Sequence, residues 1–498
     1  MSRRDLNRPD PRCLLRRRRS SLPINPLSFQ PPRPIHHGLG GPRLYPSLRC
    51  PIGLPEHVWD PVFETRRPFD IASENTPYIE ILDRWDGLED AIQEFVRGRD
   101  DMSERFETMV RDFKAFCAGA SIEGLETGRD YASTSMALLD DKCIKDGKIS
   151  SRPYLGLLTP RDLYRELRKK RFNSASSVPG QCPETKPDRE PHSELLPDAE
   201  RRLLFISDPD RWSILTLILT ASSNQATAVC ELIDCYISSK TSIGVTIPSN
   251  GFITFRLAFS LEYFVLRTSS SFLDSRKFKG KPLRHSQSLS FLAGQSIPLQ
   301  TSNQHQSDHL YQGQISCMIF GIDKHRWIAY LLADTYVESG EQSSAEYLND
   351  DYLEGGLRRD PLTDGICDAE KPILDPRVYF LKVLEIQSTK VSQEWVNLVN
   401  SLQQTIDEYY SWNSFYSGER AFFDNVGARG NFSVLTINKN FMKLRELLEG
   451  PLQGLKELCD QGCKEEVSPK LLLSSKTIIV SSTVPLNTTD ASDSSSFK

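Results

Sequence analysis

Between Thr254 and Val265 the chain alternates. Phe255, Leu257, Phe259, Leu261, Tyr263 and Val265 are interleaved with Thr254, Arg256, Ala258, Ser260 and Glu262. Successive side chains of a strand leave opposite faces, so a period of two over twelve residues predicts a half-buried strand. A strand of this kind commits the surrounding chain to a sheet with one face against a core. The neighbouring residues supply the rest. Leu203–Ile206 and Ile243–Ile247 read as short strands, and Pro248–Gly251 as a turn. Gln314–Phe320 and Trp327–Tyr336 read as two strands joined across Gly321–His325, a hairpin. A helix beginning at Asp208-Pro209 carries Trp212, Leu215, Ile218 and Leu219. A second carries Ala226, Val229, Cys230, Ile233 and Ile237. Residues 201–337 are thus expected as an α+β core module, a mostly antiparallel sheet with packed helices.

The flanks are expected to be helical, and the termini disordered. Residues 1–74 hold eleven prolines before residue 56 and read as a disordered Arg/Pro-rich arm. Residues 75–172 read as a helical region. Leu88, Ile92, Phe95 and Val96 form one stripe, and Met102, Phe106, Met109, Val110, Phe113, Phe116 and Cys117 another. Thr159-Pro160-Arg161-Asp162 opens a further helix, with Thr as cap and Pro at the first position; it runs into Arg168–Arg171, four cations that suit a helix C-terminus. Residues 173–200, with five prolines, read as a linker, and residues 338–376 as an acidic loop. In 377–466 a long-helix region is expected. Val378, Leu381, Leu384, Trp395, Leu398, Val399, Leu402 and Ile406 give a long helical segment, and a second spans 435–449. Residues 467–498 read as a disordered Ser/Thr-rich tail.

The net charge of −5 hides two poles. Residues 1–50 hold eleven Arg, no Lys and two acids, while residues 331–376 hold twelve acids against three bases. The Arg-rich arm admits a nuclear-localisation reading, but no aromatic or Gly-rich RNA-reading motif accompanies the basic residues. Nucleic-acid binding is not expected. No apolar run reaches the ~18–20 residues of a membrane span, and no secretory h-region is present. The expectation is a cytoplasmic protein with reduced cysteines; the eleven are odd in number and contain no CxxC pair.

Catalytic and metal motifs require fixed residue spacings. No P-loop, G-x-G-x-x-G, G-x-S-x-G or H-E-x-x-H occurs. Asp360, Asp364, Gly365 and Asp368 hint at a calcium loop, but Leu362 and Lys371 stand where ligands are needed. His305/His309, Cys230/Cys235 and Cys459/Cys463 have metal-like spacing without a second pair. His285, Cys317 and Asp334 would make a Cys/His/Asp site if folding joined them. No catalytic, cofactor or metal residue is assigned, and an enzyme is not expected. An enzyme using Cys317, His285 or the carboxylates of 331–376 is the alternative.

Several segments carry a family resemblance. They are Arg201-Arg-Leu-Leu-Phe-Ile206, Asp210-Arg-Trp-Ser-Ile214, Ile243-Gly-Val-Thr-Ile-Pro248, Gln314-Ile-Ser-Cys317, Arg326-Trp-Ile-Ala-Tyr330 and Asp375-Pro-Arg-Val-Tyr-Phe-Leu-Lys-Val383. Together they resemble a group of fungal proteins described as having a CorA-like, magnesium-transporter-like architecture, over about residues 160–460. The resemblance implies a soluble cytoplasmic module feeding a long helix, followed in fuller members by two membrane helices. The Gly-Met-Asn pore signature is absent, and Lys464–Lys498 stands where those helices would follow. The expectation is an interaction, regulatory or assembly module without transport of its own, whether as a soluble paralogue, a splice form or a truncated gene product. Its helices at 378–408 and 435–449 would pair with a second copy or a helical partner.

Overall fold

The computed structural model describes residues 61–82, 87–97, 104–129, 133–145, 148–173, 196–247, 253–269, 274–289, 307–337 and 357–418. The expected arm up to residue 60, the second helical segment at 435–449 and the tail 467–498 lie outside the described residues.

Two strands buried on both faces form the centre. β3 (Arg201–Ser207) and β10 (Trp327–Ala333) lie side by side and parallel, with Arg201 opposite Trp327. The remaining pairs are antiparallel. β1 (Met136–Lys145) flanks β3 and carries β2 (Lys148–Ser151) on its outer side. On the other side β10 meets β9 (Ser307–Gly321), which meets β5 (Phe255–Ser269), which meets β4 (Ser242–Thr246). Short β8 (Ser286–Ser288) pairs with β9 beyond the end of β10, and β6 (Lys277–Phe278) with β7 (Lys281–Pro282) makes a separate hairpin. The α+β fold and its mostly antiparallel sheet are as expected from the sequence.

Side-chain parity divides the core into two. Leu204, Ile206, Met318, Phe320, Ile328, Tyr330 and Leu332 face a layer of eight helices. These are α1 (Ile71–Asn75), α2 (Tyr78–Ile81), α3 (Leu88–Arg97), α4 (Glu104–Phe116), α5 (Ile122–Thr127), α6 (Pro160–Leu167), α7 (Arg211–Thr220) and α8 (Ser223–Ile237). Leu203, Phe205, Phe259, Cys317, Ile319, Trp327 and Leu331 face the other way, onto α9 (Pro376–Gly418), one helix of 43 residues. The sheet is the middle of three layers. Because α8 covers the second face of β5, Ser260 there is buried as well.

Local chemistry sets the helix starts. Thr159 caps α6 by accepting the Asp162 N–H, with Pro160 in the first turn. Asp210 caps α7 in a reciprocal box with Ser213.

Four boundaries differ from the sequence reading. Order begins before residue 75: Phe63 is fully buried and meets Phe255 edge-on at 5.3 Å. The region 75–172 is not purely helical, since β1 and β2 belong to the main sheet. The end of the expected linker 173–200 is built in: Asn173 bonds Leu196 O and Asp198, and Ala199 and Glu200 are buried. Residues 357–376 of the acidic loop fold onto the sheet, with Leu357, Asp360, Leu362 and Thr363 buried.

Candidate functional site

Ionisable side chains converge most densely where β10 ends. Asp334 follows the strand directly and turns its fully buried carboxylate toward the helical layer. One oxygen accepts from the Gln314 N–H at 2.8 Å and from Arg284 Nε at 2.5 Å. The other accepts from Arg276 Nη1 at 2.7 Å and from the Tyr236 hydroxyl. Asp274 grips the remaining nitrogens of Arg276, both at 2.8 Å, and Arg284 continues to Tyr236 O and Ser239 Oγ at 2.9 Å. Arg284 lies over the Tyr236 ring at 4.6 Å and Arg276 over Tyr336 at 5.3 Å. Burial pushes the Asp334 carboxyl up, but the two guanidinium groups outweigh it and hold the acid below the usual carboxylate range. With four donors on one carboxylate, this cluster is a staple between the hairpin segment 274–289 and the sheet.

The residues of the alternative Cys/His/Asp site are not brought together. Cys317 points to the α9 face, opposite to the face that Asp334 serves, and burial pushes its thiol up so that it stays protonated. His285 is exposed, with Nδ1 3.1 Å from Ser286 O. His309 stacks on Tyr311 at 5.9 Å, and His305 lies outside the described residues. Cys230 is buried in α8 and Cys235 is half-buried 3.9 Å from Ser242 Oγ; Cys459 and Cys463 lie outside the described residues. Among the described residues no group of three or more His, Cys, Asp or Glu could hold a metal ion. The basic run at the end of α6 is not a uniform solvated face. Arg171 is buried and donates to the carbonyls of Ala199, Glu200 and Trp327, and burial pulls its pKa down to about 10.

The acidic loop and α9 form one unit on the opposite face. Asp375 starts α9, accepting the N–H groups of Arg377 and Val378 at 2.9 and 3.2 Å. The inner side of α9 buries Tyr379, Phe380, Val383, Leu384, Val391, Trp395 and Leu398. Phe380 meets Phe259 at 5.8 Å and Trp395 meets Phe264 at 6.0 Å. Arg267 grips Glu394 with two nitrogens at 2.9 and 3.1 Å. Ahead of the helix, Asp360 accepts from Leu362 N, from the Tyr379 hydroxyl at 2.9 Å and from Arg201 at 3.3 Å. Arg201 lies 5.2 and 5.0 Å from the Trp327 and Tyr379 rings, which also meet each other at 5.3 Å, and it reaches Asp140, which holds Lys142 at 2.8 Å. The calcium-like spacing at Asp360 therefore has another use: its carboxylate is spent on Arg201, Tyr379 and the Leu362 amide.

The outer side of α9 is different. Val378 is 55% exposed, Leu381 39% and Val396 39%; between them on the same side stand Glu385, paired with Lys382 at 3.0 Å, and small polar Ser388, Thr389 and Ser392. The last described side chain to pack against the sheet is Leu402, while the helix continues to Gly418.

No protein-family description, curated protein or solved structure matches this chain. Among the described residues no helix is long and apolar enough to cross a membrane; α9 has the length but not the hydropathy.

Proposed function

We propose that this chain is a non-catalytic assembly module that joins a second copy through α9, on the plan of the cytoplasmic part of the CorA-like proteins its sequence resembles. The observation that carries the reading is the row of exposed aliphatic side chains on the outer side of α9. Val378, Leu381, Val396 and Val399 are spaced symmetrically about a midpoint at Ser388-Thr389. Two copies laid antiparallel place Val378 against Val399 and Leu381 against Val396, with small side chains where the helices come closest. A two-fold contact requires this self-complementarity. The ion networks at Asp334 and Asp360 favour a scaffold over an enzyme, because these carboxylates already hold donors from the chain itself. On this reading the module works in the cytoplasm and transports nothing alone.

Light scattering of the full chain across a concentration series tests the reading. A reversible dimer is expected. The double variant Leu381→Glu with Val396→Glu should be monomeric with an unchanged thermal melt, because both positions face solvent in the single copy. A wild-type chain that stays monomeric at the highest concentration refutes the proposal.

A further inference from the structure

β4 is the outermost strand of the sheet, beyond β5. Which of its backbone groups face outward follows from the ladders further in. Asp334 donates its N–H to Gln314 O at 3.0 Å and Ile322 donates to Arg326 O at 3.0 Å, so even-numbered residues of β9 bond toward β10. Odd-numbered ones bond toward β5, pairing Leu257 with Ile319 and Phe259 with Cys317. Even-numbered residues of β5 then bond toward β4, pairing Ala258 with Gly244 and Ser260 with Ser242. The Glu262 N–H agrees, donating to Thr241 Oγ1 at 3.3 Å. Ile243 and Val245 are left with their N–H and C=O groups on the open edge, without partners among the described residues.

Edge strands are commonly guarded by a charge, a proline or a bulge. β4, Ser242-Ile-Gly-Val-Thr246, has none of these. At its middle stands Gly244. No positive φ requires it, and a Cβ there would meet nothing within 4 Å. Glycine weakens a strand interior and often marks the close approach of another backbone. We infer that this backbone is β4 of a second copy, laid antiparallel across a two-fold axis at Gly244. Ile243 then lies opposite the partner's Val245, and Val245 opposite the partner's Ile243, each pair exchanging both hydrogen bonds. Ser242 faces the partner's Thr246, hydroxyl against hydroxyl. The two glycines form the non-bonded pair at the axis, where Cα atoms approach to about 4.5 Å. Aliphatic meets aliphatic, hydroxyl meets hydroxyl and glycine meets glycine, the self-complementarity that a two-fold contact demands. Val245, 53% exposed in the single copy, gains a neighbour. The contact uses none of the outer residues of α9 and stands or falls separately. It is small beside the ~800 Å² per partner of a standard interface, so in isolated copies it is transient and is read by trapping.

A disulfide supplies the trap. In the full-length Gly244→Cys variant the two introduced thiols sit on Cα atoms within the range of about 4.4–6.8 Å that a disulfide spans. Thr246→Cys is the control. Thr246 is the more exposed position, but the register places it opposite the partner's Ser242, ~14 Å from its own twin. Under oxidised glutathione, Gly244→Cys is expected to form a linked dimer at least tenfold faster than Thr246→Cys, with peptide mapping placing the bond between the introduced thiols. The link should persist when Leu381→Glu and Val396→Glu are added, which separates this contact from the one at α9. Val245→Pro removes an outward N–H while leaving the ladder to β5 intact, and should slow the link at least tenfold with an unchanged thermal melt. Equal rates at 244 and 246, no link at 244, loss of the link in the α9 variant, or a link indifferent to Val245→Pro overturns the inference.

Discussion

Arg171, Arg201, Arg276 and Arg284 are buried, and each is answered by acceptors rather than by water. Two of the acids that answer them, Asp334 and Asp360, behave oppositely. Asp334 is held below its ordinary range, so the stability it supplies is complete above the unfolded-state pKa and is lost as pH falls through the folded value. Asp334→Asn leaves buried Arg284 without a carboxylate and Arg276 with Asp274 alone, and is expected to cost about 3–5 kcal/mol at neutral pH. Urea denaturation measures this, and the loss should shrink as pH is lowered. Burial raises the Asp360 carboxyl, with Arg201 only partly compensating. Its ionisation therefore costs stability as pH rises from the unfolded value through the folded one. Asp360→Asn should gain on the wild type over that rise, the reverse of Asp334→Asn. Parallel trends for the two variants would contradict the assignment.

Among the elements, those with local chemistry were legible in the sequence. The alternation at 255–265 is β5, the hairpin across residues 321–325 is β9–β10, and the caps at Thr159 and Asp210 are made. Asp210→Ala removes a side chain that holds two backbone N–H groups of α7. It should cost about 0.5–2 kcal/mol, read from the thermal melt. β1 was not legible. Asp140, Asp141 and Lys142 interrupt its apolar pattern, and the groups that make their burial tolerable, Arg201, Arg202 and the Ala369 carbonyl, lie far along the chain. Arg171 was hidden for the same reason, since carbonyl acceptors leave no pattern in sequence. In α9 the periodicity found an apolar helix but did not separate its two faces. Val378 and Leu381 were grouped with Leu384 and Trp395, yet they point outward, because Tyr379, Phe380 and Val383 occupy the inner side. A helix with two apolar faces does not disclose from its spacing which one meets the sheet.

At the scale of the molecule, both faces of the sheet are covered, among the described residues by eight helices on one side and α9 on the other. The strand order is not the order of synthesis. β3 can pair with β1 as soon as it is made, but its other edge is closed by β10, whose residues follow only after α7, α8, β4, β5 and β9. At about 5–20 residues per second on the ribosome, that delay is of the order of ten seconds. Throughout it the nascent chain presents an unpaired strand edge flanked by Leu203, Leu204, Phe205 and Ile206, the feature from which aggregation starts. The parallel seam that gives the finished protein its centre makes the half-synthesised chain its most chaperone-dependent form.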